Sequence, residues 1–266
     1  MKIKIDHPPR VPQSSRSGAG QLSSGVFITG TDTGVGKTVI AGAIARALSS
    51  EGIDVGVMKP IETGCRIRRG KFVPADGAYL KASARSDDDL ELITPYTFRD
   101  PLAPYAASIR TKKRIGFAKI LTAFDRLRMR HSFLIVEGIG GLIVPLTART
   151  DLLNLILLLN LPVLLVARSG LGTLNHTLLT LRYGTDHGIR FLGVVLNRTS
   201  PVKPLSEATN LKILRERAGL PVIGPLPYLE KKGSGEKEIE RSKTLFNRNV
   251  LMKEIISRWI DPRSTA

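Results

Sequence analysis

The sequence predicts one α/β domain with a mainly parallel β-sheet that helices cover on both faces. Three observations lead to this prediction. Apolar runs such as Phe133–Glu137 and Phe191–Asn197 show no alternation of polar and apolar residues. Longer segments with helical spacing separate these runs, and glycine-rich turns follow several of them. Strands that are apolar on both faces and alternate with helices are typical of parallel βαβ units.

Length and composition agree with a single large domain. The chain has 266 residues, of which 42% are apolar, and this is enough for a substantial core. We predict a disordered basic leader over residues 1–24, which are rich in proline, serine, glycine and arginine, and one folded domain over residues 25–266. The leader lacks the apolar segment of a secretory signal.

The number of cysteines, the hydropathy and the charge indicate the compartment of the protein and the partners that it binds. Cys65 is the only cysteine, which excludes an intramolecular disulfide and is typical of a reducing compartment. No apolar run reaches the roughly 18 residues of a membrane span. The net charge is +17, but the basic residues are scattered and no aromatic platform is interleaved with them. We therefore expect a cytoplasmic protein with a solvated basic surface that binds neither nucleic acid nor a membrane.

The first strand leads into the most informative motif of the chain, VFITGTDTGVGKT, which runs from Val26 to Thr38. The strand stops at a glycine-rich turn, and a helix predicted over 37–49 follows. Backbone N–H groups of such a turn, with the positive end of the helix, form a cradle for phosphates. Lys37 would reach the β- and γ-phosphates, and the Thr38 hydroxyl would ligate Mg²⁺. The motif predicts a P-loop NTPase-like fold.

The spacing inside this loop is unusual. The common P-loop pattern requires glycine at position 31, but the sequence has Gly30 followed by Thr31, so the loop is one residue longer. Asp32 stands where partition ATPases carry a second, signature lysine. The loop is therefore neither a standard kinase loop nor a partition-ATPase loop.

In the first half of the chain, apolar runs predict strands, spacing on one helical face predicts helices, and prolines interrupt both. Pro95, Pro101 and Pro104 make their region irregular. After the first helix, the predicted elements are a strand over 54–59, a helix over 76–84, an irregular segment over 90–98, a helix over 115–130 and a strand over Phe133–Glu137.

The second half repeats the alternation of helices and apolar strands. Asp151 is a candidate N-cap for the helix after it, and a glycine turn over 169–172 joins a strand to a helix. The predicted elements are a helix over 152–159, a strand over 162–167, a helix over 174–187, a strand over Phe191–Asn197, a helix over 207–218, a short strand over 221–223 and a C-terminal helix over 244–259.

Charged residues follow the predicted strands at their carboxyl ends, where ligands bind in such sheets. Glu137 ends a buried run and is placed to hold Mg²⁺; the alternative is an ordinary exposed carboxylate. Asp76 is a second candidate ligand or a plain N-cap. Lys59 ends a buried strand, where its ammonium is costly unless it meets an anion such as a γ-phosphate; the alternative is a surface lysine.

Two further polar segments are weaker signals. The turn before Asn175 offers a helix N-terminus that would bind a carboxylate or phosphate, or else is a simple strand-to-helix connection. His176 fits helical packing better than metal binding, since no companion ligand lies nearby. Asn197 ends its strand with an amide able to hydrogen-bond a purine edge.

Taken together, these segments resemble the ATP-dependent dethiobiotin synthetases from Val26 to about Leu229. Seven blocks in order carry the resemblance: TGTDTGVGKT, MKPIETGC, PYTFRDPLAP, VEGIGGLIVPL, LPVLLVARSGLGTLNHTLLTL, GVVLN and IGPLPYL. The resemblance implies a homodimeric enzyme with active sites at the subunit interface. Its substrates would be 7,8-diaminononanoate, CO₂ and ATP with Mg²⁺, and its product the ureido ring of dethiobiotin.

The resemblance also implies roles for individual residues. The catalytic residues would be Lys37 and Lys59, and Mg²⁺ would be held by Thr38, Asp76 and Glu137. The substrate would contact Thr33 and Thr63, and its distal carboxylate would bind Gly172, Thr173, Leu174 and Asn175 of the partner subunit. The nucleotide would lie among Gly34, Val35, Gly36, Lys37, Thr38, Val39, Asp76, Glu137, Gly138, Ile139, Gly140, Asn197, Arg198, Pro227, Tyr228 and Leu229.

The sequence departs from the family pattern at two positions, and two rival functions each require a feature that this chain lacks. Ile139 stands where many members have alanine, and Tyr105 where histidine is frequent. A partition-type ATPase switch would need the lysine that Asp32 replaces. A cobyrinate-type amide ligase would need an additional glutaminase domain. A paralogue that uses another diamine stays open, because substrate contacts are less diagnostic than nucleotide contacts.

Overall fold

A computed structural model of the protein describes residues 24–229, residues 237 and 239–241, and residue 244. The predicted leader, apart from Ser24, and the predicted C-terminal helix, apart from Thr244, lie outside the described residues. Among the described residues, no helix is long and apolar enough to cross a membrane.

The described chain alternates strands and helices. The strands are β1 (Ser24–Gly30), β2 (Val55–Met58), β3 (Ile61–Glu62), β4 (Arg66–Arg68), β5 (Lys71–Val73), β6 (Tyr96–Thr97), β7 (Phe133–Glu137), β8 (Val163–Arg168), β9 (Phe191–Asn197) and β10 (Val222–Leu226). The helices are α1 (Lys37–Ser50), α2 (Ala75–Ala84), α3 (Leu90–Ile93), α4 (Pro104–Thr111), α5 (Phe117–Arg130), α6 (Leu152–Leu159), α7 (Thr173–Asp186) and α8 (Glu207–Arg217).

Six strands form the central sheet in the order β10-β9-β8-β1-β7-β2, and every neighbouring pair is parallel. The fold class predicted from the sequence is therefore confirmed. Strand β1 lies in the interior of the sheet, and Val26, Phe27 and Ile28 are fully buried. Because all six strands run the same way, their carboxyl ends meet at one edge, where the loops that follow β1, β2, β7, β8 and β9 converge.

Helices cover both faces of the sheet, and alternate residues of each strand point to different cores. Val26 and Ile28 pack with Ile44 and Leu80, so α1 and α2 cover one face. Phe27 packs on the other face against α5 and α6. A third cluster places α7 and α8 over β8, β9 and β10. These layers exclude water from both faces, which explains why the strands are apolar without alternation.

Most predicted elements are present with small boundary shifts, and the predicted N-cap Asp151 forms a capping box with Asn154 at the start of α6. Several elements differ from the sequence prediction, among them the two-residue strand β3, which was not predicted. The segment predicted as irregular contains α3 and β6, and α4 was not predicted. The exposed hairpin of β4 and β5 was also missed, because short strands rich in arginine and lysine carry no buried pattern.

Candidate active site

A cavity of about 520 Å³ opens at the carboxyl edge of the sheet. The loops after β1, β2, β7, β9 and β10 all contribute to it. Its lining combines cations, carboxylates, hydroxyls and one aromatic ring: Thr33, Gly34, Gly36, Lys37, Thr38, Val39, Lys59, Glu62, Thr63, Ala75, Asp76, Tyr79, Glu137, Ile139, Gly140, Asn197, Arg198, Thr199, Tyr228 and Leu229.

The loop between β1 and α1 presents backbone N–H groups to this cavity. Gly36 adopts a left-handed conformation with φ of 99° at the N-cap position, and no side chain caps α1. The first N–H groups of a helix have no partner within the helix, and the helix dipole makes them attractive to anions. Asn197 braces the loop from β9, since its Nδ2 donates to the Val35 carbonyl at 3.0 Å. The loop thus has the form of a phosphate cradle, and Asn197 holds its backbone in place.

Lys37 lies in this cradle with 6% of its surface exposed. Its Nζ donates to the Asp32 carbonyl at 2.8 Å. Burial, and then the nearby ammonium of Lys59, lower the pKa of Lys37 to about 8. The Asp32 carboxylate pairs with Arg168 at 2.6 Å and accepts the Thr33 N–H at 2.7 Å. The acid that replaces the partition-ATPase lysine therefore ties the loop to the end of β8.

A second cluster gathers Lys59, Thr38 and the two carboxylates predicted to hold a metal. Lys59 Nζ lies 2.5 Å from Glu137 Oε1 and 3.0 Å from Asp76 Oδ2. Thr38 Oγ1 donates to the same Glu137 oxygen at 2.8 Å. Lys59 and Glu137 are buried, with 3% and 1% of their surfaces exposed. The buried ammonium is stabilised because it meets two carboxylates.

Burial and charge act in opposite directions on this cluster. Burial alone would lower the pKa of Lys59, but the carboxylates of Glu137 and Asp76 more than offset it, so the pKa lies above its ordinary value. Burial raises the pKa of Glu137, and the Lys59 ammonium counters part of that increase. The carboxylates of Glu137 and Asp76 therefore stabilise a positive charge that lies between them.

The same residues fit Mg²⁺. Glu137 Oε2 is buried and has no hydrogen-bond partner among the described residues, so an acceptor oxygen next to the cavity is left for a cation. Mg²⁺ is commonly held by one or two protein oxygens together with substrate phosphates and water. The Thr38 hydroxyl, the Asp76 carboxylate and Glu137 supply such oxygens. The described residues contain no cluster of three or more histidine, cysteine, aspartate or glutamate side chains suited to an all-protein metal cage.

Glu62 is a cavity residue that the sequence reasoning missed. Its two carboxylate oxygens accept the backbone N–H groups of Asp76 and Gly77, each at 3.0 Å, so it caps α2 from a neighbouring strand. Burial raises the pKa of Glu62. Ala75, Tyr79 and Thr199 also line the cavity and were not expected. The position of Glu62 in the sequence, between the predicted site residues Lys59 and Thr63, could have identified it as a cavity residue.

The predicted residues of the turn before α7 lie outside this cavity. Gly172 and Asn175 are exposed, Leu174 is half-buried, and Thr173 is buried and bonded to Thr177 at 3.2 Å. Gly172 has a φ of 88°, and no side chain caps α7. Val35, Gly138 and Pro227 do not line the cavity either; a Cβ at Gly138 would lie 2.8 Å from Phe27 Cε1, on the core side.

Comparison with known protein families gives a consistent result. Residues 24–234 match the family described as "AAA domain". The ATP-dependent dethiobiotin synthetase BioD of Thermodesulfovibrio yellowstonii is 42% identical over 216 residues, which cover 78% of this chain and 90% of that protein. The protein of the same name from Bacillus subtilis strain 168 is 36% identical over 231 residues, covering 87% and 98%.

Comparison with solved structures gives information on the fold alone. A ParA family ATPase from Chlorobium tepidum superposes with a TM-score of 0.51 at 15% identity, covering 92% of this chain and all of that one. A structure of pNOB8 ParA bound to nonspecific DNA gives a TM-score of 0.52 at 16% identity, covering 89% and 98%. Identities this low carry no functional information, so these likenesses agree with the parallel P-loop architecture and go no further.

Proposed function

The chain belongs to the family of ATP-dependent dethiobiotin synthetases, and from that premise we propose how its own residues carry out the reaction. The enzyme is an ATP-dependent ligase of biotin biosynthesis that closes the ureido ring of dethiobiotin. The observation that best supports the residue assignment is the meeting of Lys37, Lys59, Glu137 and Asp76 in one cavity with an uncapped helix N-terminus.

The nucleotide is assigned to the cradle of the loop between β1 and α1. The phosphates would accept N–H groups of Gly34 to Thr38, and the Lys37 ammonium would leave the Asp32 carbonyl for the β- and γ-phosphates. Asn197 and Arg198, with Tyr228 and Leu229, also line the cavity and would surround the base.

The reaction proceeds in three steps. One amine of 7,8-diaminononanoate adds to CO₂, loses a proton and becomes a carbamate. A carbamate oxygen then attacks the γ-phosphorus of ATP, ADP leaves, and a carbamic–phosphoric anhydride forms. The second amine finally attacks the carbonyl carbon and loses a proton, the C–O bond to phosphate breaks, and phosphate leaves as the ring closes.

The protein contributes mainly position and charge. Lys59 and Lys37 would stabilise the negative charge that spreads over the transferring phosphoryl group. Thr33 and Thr63 line the cavity and would hold the amine and carbamate end of the substrate. The oxygens of Thr38, Asp76 and Glu137 would hold Mg²⁺, which when bound neutralises phosphate charge.

We infer that the enzyme works as a homodimer in which each subunit completes the other's active site. The turn from Gly172 to Asn175, whose first and last residues are exposed, would bind the distal carboxylate of the diamine held by the partner, through the uncapped N-terminus of α7. Exposed apolar residues in this turn and on α7 support the proposal: Leu171 is 88% exposed and Leu179 is 60% exposed. We place the enzyme in the cytoplasm, in agreement with its single, buried cysteine.

The decisive experiment measures dethiobiotin formation by mass, with phosphate release from Mg-ATP and bicarbonate followed with and without 7,8-diaminononanoate. We expect product that depends on the diamine, abolished in Lys37→Ala and reduced about 100- to 1,000-fold in kcat in Lys59→Ala, because each loses a charge at the transferring phosphoryl group.

The matched control is Lys212→Ala, which removes an exposed lysine of α8 and should leave turnover unchanged. ATP binding without diamine-dependent product would rule out the proposed substrate. Full activity in Lys59→Ala would show that Lys59 is not a catalytic residue, and the ligase assignment would still hold.

A further inference from the structure

Glu207, a buried carboxylate outside the cavity lining, contacts both Arg198 in the cavity wall and Ser169 in the turn after β8. It begins α8 and is 3% exposed. Its Oε1 accepts Arg198 Nη2 at 2.6 Å and its Oε2 accepts Arg198 Nε at 3.0 Å. The same Oε2 accepts the Ser169 hydroxyl at 2.8 Å. One carboxylate thus joins β9, the turn after β8 and α8.

The Arg198 side of this network belongs to the nucleotide end of the cavity. Arg198 lines the cavity next to Asn197, which braces the phosphate cradle. A planar guanidinium held by two parallel hydrogen bonds has a fixed orientation, which a single contact does not give. The Arg198 hydrogen bonds lower the pKa of Glu207, so the carboxylate is ionised when it holds the guanidinium.

The Ser169 side of the network belongs to the turn that leads into α7. Ser169 is 1% exposed, and its hydroxyl is held by Glu207. Asn210, one turn further along α8, donates to the carbonyls of Ser169 and Gly170, each at 3.1 Å. Two side chains of one helix therefore fix the start of the turn whose other end, at Gly172, opens the N-terminus of α7.

We propose that Glu207 is a positioning residue of the synthetase, which sets the Arg198 wall of the nucleotide site and the carboxylate-binding turn before α7 together. The inference rests on the proposed function. The Arg198 contact and the Ser169 contact of Glu207, here called its two arms, matter only if ATP binds beside Arg198 and a carboxylate binds at Gly172 to Asn175. Glu207 does not touch either ligand. Its effect is on affinity rather than on the phosphoryl transfer itself.

The variant Glu207→Gln tests this directly. A glutamine keeps the shape but turns an NH₂ donor toward a guanidinium that can only donate, so one of the two parallel bonds is lost. We expect the KM for ATP and the KM for the diamine each to rise about tenfold, with kcat changed by less than about threefold, as for a buried charged hydrogen bond that is lost.

Single variants separate the two arms. Arg198→Gln should raise the KM for ATP alone, and Ser169→Ala should raise the KM for the diamine alone. In the double variant Arg198→Gln with Glu207→Gln, the KM for ATP should be no higher than in Arg198→Gln, because coupled residues are not additive. If Glu207→Gln does not fold, the two single variants carry the test.

Glu216→Gln is the matched control, since it makes the same change at an exposed position of α8. Unchanged KM values in Glu207→Gln, with only a lower melting temperature or a lower kcat, would overturn the inference. If the wild-type enzyme forms no dethiobiotin, the proposed function fails instead. Binding of a fluorescent ADP analogue would then still test the Arg198 arm, and equal affinity in wild type and Glu207→Gln would overturn it.

Discussion

Two lysines in one cavity are held in opposite electrostatic situations. Lys59 is paired with carboxylates that keep it charged, whereas Lys37 donates to the Asp32 carbonyl and has a pKa lowered to about 8 by burial and by Lys59. A phosphate entering the cradle would restore the missing counter-charge beside Lys37. We therefore expect nucleotide binding to raise the pKa of Lys37.

Gly36 allows Asn197 to approach the loop closely. A Cβ at this position would overlap Asn197 Nδ2, and the φ of 99° disfavours any other residue. We expect Gly36→Ala to push the Asn197 amide off the Val35 carbonyl and to weaken nucleotide binding at least about tenfold, which equilibrium binding of a fluorescent ATP analogue would measure.

Gly52→Ala is the control for backbone strain, because Gly52 has a φ of 82° and open space around its missing Cβ. It should lower the unfolding free energy by about 1 kcal/mol and leave nucleotide affinity unchanged. Equal nucleotide affinity in Gly36→Ala and wild type would contradict the close-approach argument.

At the residue scale, the sequence was most informative where a motif fixes both residue type and spacing. The positions of Lys37, Thr38, Lys59 and Glu137 at one edge followed from strand ends in a parallel sheet. Glu62 was missed because its role depends on α2 starting beside β3, a contact between separate elements. The assigned binding roles themselves stay predictions until ligands are measured.

At the element scale, His131 joins three separate pieces of the chain. It ends α5, and its ring nitrogens lie 2.7 Å from Asp54, just before β2, and 2.7 Å from Asp88, in the connection from α2 to α3. Arg130 pairs with the other Asp88 oxygen at 2.7 Å. A neutral imidazole has one N–H, so only the imidazolium can donate to both carboxylates.

Stability should therefore depend on pH through His131. Burial alone would lower its pKa, but hydrogen bonds to Asp54 and Asp88 outweigh burial and raise it above 6.5. A raised folded pKa contributes stability that is complete below pH 6.5 and is lost as pH rises through the folded value. We expect His131→Asn to lower the unfolding free energy by about 1–2 kcal/mol at pH 5.5 and by less at pH 9.

Urea unfolding at the two pH values makes this measurement. The control variant is His176→Asn, which removes an exposed histidine of α7 and should have a small effect at both. If His131→Asn lowered the unfolding free energy more at pH 9 than at pH 5.5, the proposed role of the imidazolium would be contradicted. The lowered pKa of Asp88 keeps that carboxylate ionised across this window.

Element prediction succeeded where burial leaves a pattern in the sequence. Strands β7 and β9 match their predicted bounds because they are continuous apolar runs. Helix α4 escaped prediction because its mixed residues follow three prolines, although Pro104 at its start is a favourable first helical residue. The hairpin of β4 and β5 is held by cross-strand pairing rather than by a buried face, so periodicity gives no sign of it.

At the scale of the whole molecule, the proposed dimer requires that the exposed apolar surface of α7 is buried between the subunits. We expect Leu179→Asp to shift the protein from dimer to monomer in sedimentation velocity and to raise the KM for the diamine, since the partner's turn would be lost. Buried apolar contact between subunits does not tolerate a carboxylate. Met129→Asp, on an exposed position of α5 near the amino edge of the sheet, should leave the dimer intact. A wild-type monomer at micromolar concentration would contradict the proposed shared site.

Strand β1 pairs with β7 and β8, both of which are made long after it. A ribosome adds roughly 5–20 residues per second, so the segment carrying Val26, Phe27 and Ile28 waits on the order of 10 s before Arg168 is synthesised. The nucleotide-binding loop therefore cannot assemble early in translation, however strong its local signal. During that interval the nascent chain carries Val26, Phe27 and Ile28 without the strands that bury them, so apolar surface that the folded enzyme hides is exposed to aggregation.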